Sequence, residues 1–154
     1  MVIRQNLAGA DYALIDQNTM TPNPDYWASL VWKQYMGTQV LKASGGDENA
    51  RLYAHCAATD EPGAVSLVAI NLDLKDVLVL DLGSLNTTGA KSSSLTASAL
   101  TSAEVQLNGR TLVTDETGTP PALEQKSTSS FEVQPHGILF VELPQASFSA
   151  CEEG

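Results

Sequence analysis

RLYAHCAATDEPGAVSLVAINL, residues 51–72, decides the fold. RLYAHCAA (51–58) and AVSLVAINL (64–72) are short runs of strand type. TDEPG between them carries Asp, Pro and Gly, which is turn chemistry. Downstream, DLKD (73–76) is a second turn and DVLVLDL (76–82) a third strand-like run. EVQLNGRTLV (104–113) places Asn108-Gly109 between alternating apolar residues, the strongest short-range hairpin signal. TDETGTPPALEQKSTSS (114–130) is a long polar connection, and FEVQPHGILFVEL (131–143) supplies the last one or two strands. Residues 83–103, rich in Ser, Thr and Ala, give no firm element. Six to eight short strands with regular turns predict a β-sandwich of roughly 100 residues, and no internal repeat is present.

Upstream the period changes. VIRQNL (2–7) reads as a strand, followed by Gly9, YALI (12–15) and the polar DQNTMTPNP (16–24). A helix then follows: Asn23 is placed to cap it, Pro24 suits its first position, and Asp25 favours the positive end of its dipole. Trp27, Leu30, Val31 and Tyr35 make one apolar stripe, and Gly37 is expected to stop the helix in a left-handed conformation. Residues 1–37 therefore read as one strand–loop–helix unit with no obvious strand partner in the chain. The expected organisation is mainly β: residues 1–37 as the end of something larger, 38–151 as a sandwich, and 152–154 as a tail.

The chain of 154 residues is too short for a complete (β/α)₈ barrel, which takes about 250. Eight Lys+Arg against eighteen Asp+Glu give a net charge of -10. Such a surface disfavours nucleic acid, sulfated polysaccharide and anionic membranes as partners. No apolar run approaches the ~20 residues of a transmembrane helix, and the opening MVIRQNLAGADYALID lacks the pattern of a secretory signal. Cys56 and Cys151 lie 95 positions apart without CxxC spacing, so no metal site is read. Composition leaves open whether they pair or stay as free thiols of a cytosolic protein.

His55 in YAHC and His136 in QPHG read as structural histidines, because neither has metal-ligand spacing or a nucleophile elbow nearby. No phosphate-loop motif occurs and no cofactor is expected. No Glu precedes Glu48, so the first unit carries only Asp11, Asp16 and Asp25 as acids. Asp25 reads as helix first-turn charge and Asp16 as loop polarity. Asn86-Thr87-Thr88 is the one N-x-[ST] sequon. The aromatics crowd into the first 37 residues, and the sandwich, with no Trp and only Tyr53 as tyrosine, is expected to be structural rather than a sugar-capture module.

In series, RQNLAGADYALID, PNPDYWASLVWKQYMGTQVL, RLYAHC, VAINL, VQLNG, PP-x-LE and PHGILFVELP with a terminal Cys resemble the C-terminal part of heparanase-like β-glucuronidases, glycoside hydrolase family 79, in their plant-type form. The resemblance runs from about residue 3 to Cys151. It implies the last βα unit of a (β/α)₈ barrel followed by a C-terminal β-sandwich. It implies a retaining glycosidase acting on glucuronic-acid-containing glycans or glucuronides, whose two catalytic glutamates lie on earlier barrel strands. No residue here matches either glutamate, so no catalytic residue is assigned and the chain is expected to be inactive alone.

The resemblance places Tyr12 where the family's tyrosine holds the glucuronate carboxylate. Ala10 stands where the family has a glycine whose N–H contributes, and Asp11 replaces an Asn, which puts substrate preference in doubt. It also implies a Cys56–Cys151 disulfide, hence export to an extracellular, secretory or lysosome–vacuole compartment, with membrane association an option. Asn86 then becomes a glycosylation candidate. The missing partner is the N-terminal barrel portion, through which glycan substrate would be engaged, together with a strand that would complete the sandwich's open edge. The acidic balance favours less charged substrates. The alternative is a stand-alone β-sandwich binding or structural protein without catalysis.

Overall fold

The computed structural model describes residues 6–10 and 13–152. Helix α1 spans Pro24–Tyr35, and Trp27, Val31 and Tyr35 are its buried stripe. Asn23 precedes it in extended conformation (φ -79°, ψ 163°), but its side chain makes no cap and instead donates to the Ala13 carbonyl at 2.8 Å. The expectation that Gly37 stops the helix is corrected. Met36 (φ -95°, ψ 111°) turns the chain straight into a strand, its N–H still donating to the Trp32 carbonyl, and Gly37 is a strand glycine. A Cβ at Gly37 would stand 2.6 Å from the Cys56 carbonyl oxygen, so close strand approach, not a left-handed cap, requires this glycine.

The strands are β1 Met36–Leu41, β2 Ala50–Ala57, β3 Val65–Asn71, β4 Leu78–Val79, β5 Lys91–Thr96, β6 Gln106–Leu107, β7 Arg110–Thr111, β8 Lys126–Ser127, β9 Glu132–Val133 and β10 Ile138–Leu143. All pairings are antiparallel. One eight-stranded sheet runs β1-β2-β3-β10-β5-β6-β7, with β8 also on β5, and β4-β9 forms a separate two-stranded sheet. The mainly β expectation is met. The hairpin at Asn108-Gly109 is present, both residues having positive φ (53° and 85°), as a primed turn needs. Of DVLVLDL only Leu78–Val79 forms a strand, paired with β9, and Leu80 extends the contact by donating its amide to the Phe131 carbonyl at 2.9 Å. Of the expected strand VIRQNL, residues 2–5 lie outside the described residues, and Asn6 and Leu7 are not in a strand.

Two apolar layers enclose the middle of the large sheet. On one face Trp27, Val31 and Tyr35 of α1 pack on Val68, Leu95 and Phe140. On the other, Ala69, Leu139, Val141 and Leu143 meet Val133 and the partly buried Leu78, Leu80 and Leu82. Strands β3 and β10 are thus covered on both sides, which is why their sequences are nearly continuous apolar runs rather than strict alternations. Burying Phe140 and Val68 from water stabilises the fold by roughly 1.5–3 kcal/mol per side chain.

Candidate functional site

The segment that precedes α1 is pinned by backbone hydrogen bonds. Leu14 and Ile15 donate to the Asn6 and Leu7 carbonyls, Ala13 donates to the Ala10 carbonyl at 3.0 Å, and Asn23 donates to the Leu14 carbonyl. Ala13 is fully buried, and Ala10 is half-buried. Asp11 and Tyr12, the expected substrate contacts, lie outside the described residues. Asp16 is committed to its own loop: its Oδ1 accepts from the Asn18 and Thr19 amides and from the Thr19 hydroxyl. The Thr19 amide first, then its hydroxyl, hold the Asp16 carboxyl below the usual carboxylate range.

A second polar constellation is built by strand register. His55 on β2 stands opposite Ser66 on β3, Ser66 opposite Glu142 on β10, and Glu142 opposite Lys91 on β5. These four side chains form one cross-strand row on the face that α1 covers, one step beyond the row of Tyr53, Val68, Phe140 and Ser93. Glu142 is 5% exposed and pairs with the Lys91 ammonium at 3.1 Å. At the end of α1, the Tyr35 hydroxyl and the Ser93 hydroxyl are 2.9 Å apart. Burial pushes the Tyr35 phenol up to about 12, with the Glu142 charge adding to the rise and hydrogen bonds to Ser93 and Gln125 opposing it.

The row contains a hydroxyl, an imidazole and a carboxylate, yet it is not a nucleophile set. Ser66 is fully buried and its Oγ has no hydrogen-bond partner. His55 Nδ1 lies 2.6 Å from the Gly37 carbonyl, which can only accept, so Nδ1 carries the proton and fixes the ring. A nucleophile needs its base within hydrogen-bond reach. A single carboxylate also cannot supply the pair that a retaining glycosidase uses. Among the described residues, no group of three His, Cys, Asp or Glu is placed to hold a metal ion.

Cys56 and Cys151 form a disulfide, with Cα atoms 5.4 Å apart. It ties the end of β2 to the 3₁₀ turn Ser149–Cys151. Gly63 (φ +77°) receives the same tail: its amide donates to the Cys151 carbonyl and its carbonyl accepts from Phe148. A Cβ there would meet Ser147 Cα at 2.9 Å. Asn86 is exposed, and its Oδ1 accepts from the Thr88 amide at 3.0 Å, so the sequon sits on a surface turn. His136 occupies a left-handed position (φ 58°) between β9 and β10. Trp32 of α1 contacts Tyr53 and His55 edge-on, with ring centroids 6.2 and 5.4 Å away. A linear reading assigned Trp32 to the first unit and Tyr53 to the sandwich, so it missed this half-exposed aromatic group.

No model of a known protein family matches the chain. The chain is 35% identical to baicalin-β-D-glucuronidase of Scutellaria baicalensis, over 97% of its own length and 30% of that protein's. It is 32% identical to hyaluronoglucuronidase of Hirudo nipponia, over 99% of its own length and 34% of that protein's. It is 36% identical to bovine (Bos taurus) heparanase, over 98% of its own length and 30% of that protein's. The chain spans about a third of the length of the curated relatives it matches.

Proposed function

From the correspondence of this chain to the C-terminal part of heparanase-like β-glucuronidases, we propose that it supplies the sandwich and last barrel unit of a secreted retaining glycosidase acting on glucuronic-acid-containing glycans or glucuronides. The observation that carries the reading is the end-to-end match: 97% of the chain aligns with 30% of a glucuronidase. In this reading residues 1–37 belong to the barrel, 38–151 to the sandwich and 152–154 to a tail. The hydrolytic carboxylates come from outside the chain. Tyr12 donates its phenolic O–H to the glucuronate carboxylate, and Ala10 offers its N–H beside it. Asp11 places a negative charge near that carboxylate and selects against the most highly charged substrates.

The disulfide supports passage through an oxidising compartment, extracellular or secretory, or a lysosome or vacuole. The exposed turn at Asn86 supports its glycosylation there. The missing portion is the N-terminal barrel with its strand for the sandwich edge. Among the described residues no helix is long and apolar enough to cross a membrane.

The test is hydrolysis of an aryl β-glucuronide by this chain alone and by the polypeptide extended with its upstream coding sequence. The expected result is no turnover by the chain alone and turnover by the extended protein. In the extended protein, Tyr12→Phe is expected to cost about 1.5–3 kcal/mol of transition-state binding for a glucuronide, the usual size of a hydrogen bond to a charged group, while the matching neutral glucoside loses little. Equal losses on both substrates would reject the carboxylate role.

A further inference from the structure

Asn23 stands directly before α1, where a polar side chain commonly caps a helix, and its side chain does not cap. Pro24 has no amide to satisfy, and the Tyr26 amide donates to the Asn23 backbone carbonyl at 3.0 Å. The Asn23 side chain is thereby released for another bond, and its Nδ2 donates to the Ala13 carbonyl at 2.8 Å. Its backbone N–H donates to the Leu14 carbonyl, also at 2.8 Å. One residue at the head of the helix thus holds two successive carbonyls of the preceding segment. The chain returns to this place through a closed loop: Ile15 and Pro22 form an antiparallel bridge, and the Asp16 amide donates to the Thr21 carbonyl at 2.9 Å. Ala13 is fully buried, so its carbonyl has little water to turn to if the Asn23 donor is lost. Residue type points the same way. Asp is as good a cap as Asn, yet an ionised Asp has no donor to offer a carbonyl. The Ala13 bond, not the helix, is what requires an amide side chain at this position.

Ala13 makes a second bond. Its amide donates to the Ala10 carbonyl at 3.0 Å, which closes a turn from Ala10 to Ala13. That turn brackets positions 11 and 12, and Ala10 and Tyr12 are the residues assigned above to the glucuronate carboxylate. We propose that Asn23 is a positioning residue for glucuronate recognition: its side-chain amide fixes Ala13, and Ala13 fixes the turn that presents the contacts. This role rests on that assignment and adds to it a residue that touches no substrate. A misplacement of about 1 Å costs on the order of a hundredfold in rate, so one hydrogen bond lost from the support is readable in turnover. The effect falls on the glucuronide, because a neutral glucoside has no carboxylate for the turn to hold.

The experiment measures kcat and KM of the polypeptide extended with its upstream coding sequence, on an aryl β-glucuronide and the matching aryl β-glucoside. Asn23→Asp keeps a capping side chain and removes the donor. Its ratio of kcat/KM, glucuronide over glucoside, is expected to fall about tenfold. Asn23→Ala, which adds no charge, is expected to lower the same ratio by about threefold or more. In a Tyr12→Phe background, Asn23→Asp is expected to change the ratio by less than about threefold, because the contact it supports is already lost. An unchanged ratio in both Asn23 variants overturns the proposal, whether total activity is kept or falls on both substrates alike. So does a loss of about tenfold that persists in the Tyr12→Phe background. If Tyr12→Phe itself leaves the ratio unchanged, the glucuronate assignment fails and the role of Asn23 falls with it. If Tyr12→Phe lowers the ratio and the Asn23 variants do not, only the positioning role is rejected.

Discussion

Two adjacent rows of the same sheet face behave in opposite ways. In the row of Tyr53, Val68, Phe140 and Ser93, all but the half-exposed Tyr53 are closed under α1: Val68 and Phe140 share the apolar cluster of Tyr35, and the Ser93 hydroxyl is satisfied by the Tyr35 phenol. One step along the strands, the row of His55, Ser66, Glu142 and Lys91 is polar: Trp32 of α1 meets His55 edge-on, and the fully buried Ser66 Oγ finds no partner. The backbone geometry is the same in both. What differs is the side chains: Ser66 and Glu142 are as buried as Val68 and Phe140, but polar groups stand where the neighbouring row has apolar ones. One strand register thus sets an apolar core row and a buried polar row side by side on the same sheet face.

The largest expected effect comes from the bond that closes the polar end. The Cys56–Cys151 disulfide spans 95 residues. Removing it with Cys56→Ser and Cys151→Ser together is expected to cost about 4–5 kcal/mol in the loop-closure account, read as a lower urea midpoint. A loss under about 1 kcal/mol would mean that the two rows hold together without it. Next, Phe140→Ala opens a cavity in the closed row and is expected to cost about 3–5 kcal/mol. Ser93→Ala strands the buried Tyr35 hydroxyl and should cost about 1–3 kcal/mol.

Tyr35 gives the same contrast a pH signature. Its phenol titrates near 10.0 in the unfolded chain and is pushed up to about 12 by burial in the fold. The unfolded chain therefore releases this proton first. The stability that Tyr35 contributes is whole below pH 10 and is lost as pH rises through about 12. Denaturation midpoints between pH 9 and 12 should fall for the native sequence and fall less steeply for Tyr35→Phe. The smallest expected effect is Ser66→Ala. It removes a buried hydroxyl that has no partner, so stability should stay within about 0.5 kcal/mol or rise. A loss above about 1 kcal/mol would show that Ser66 is satisfied after all and would dissolve the difference between the rows.

Much of the fold was legible where side chains announce burial. The runs containing Val65–Asn71 and Ile138–Leu143 are apolar enough to be strands on sight, and Asn108-Gly109 marks its hairpin. Strand β5, Lys91–Thr96, was not legible. Its sequence KSSSLT has one large apolar residue, and it is a strand because Ser92 and Ser93 are small enough to sit buried beside β10. Gly37 was misread because a glycine after a helix signals a cap by local statistics, whereas this one answers to the Cys56 carbonyl on a neighbouring strand. The polar row could not be read at all. Residues 55, 66, 91 and 142 share no spacing in the sequence, and only the register of three pairings brings them together. The Cys56–Cys151 bond came from resemblance rather than from spacing, and the structure contains it.

The most direct test of the functional account is the 5′ sequence of the transcript that encodes this chain. The account predicts an open frame continuing upstream of Met1 into barrel strands that carry two glutamates. An in-frame stop immediately upstream, with the 154-residue protein accumulating in the cell, would contradict it.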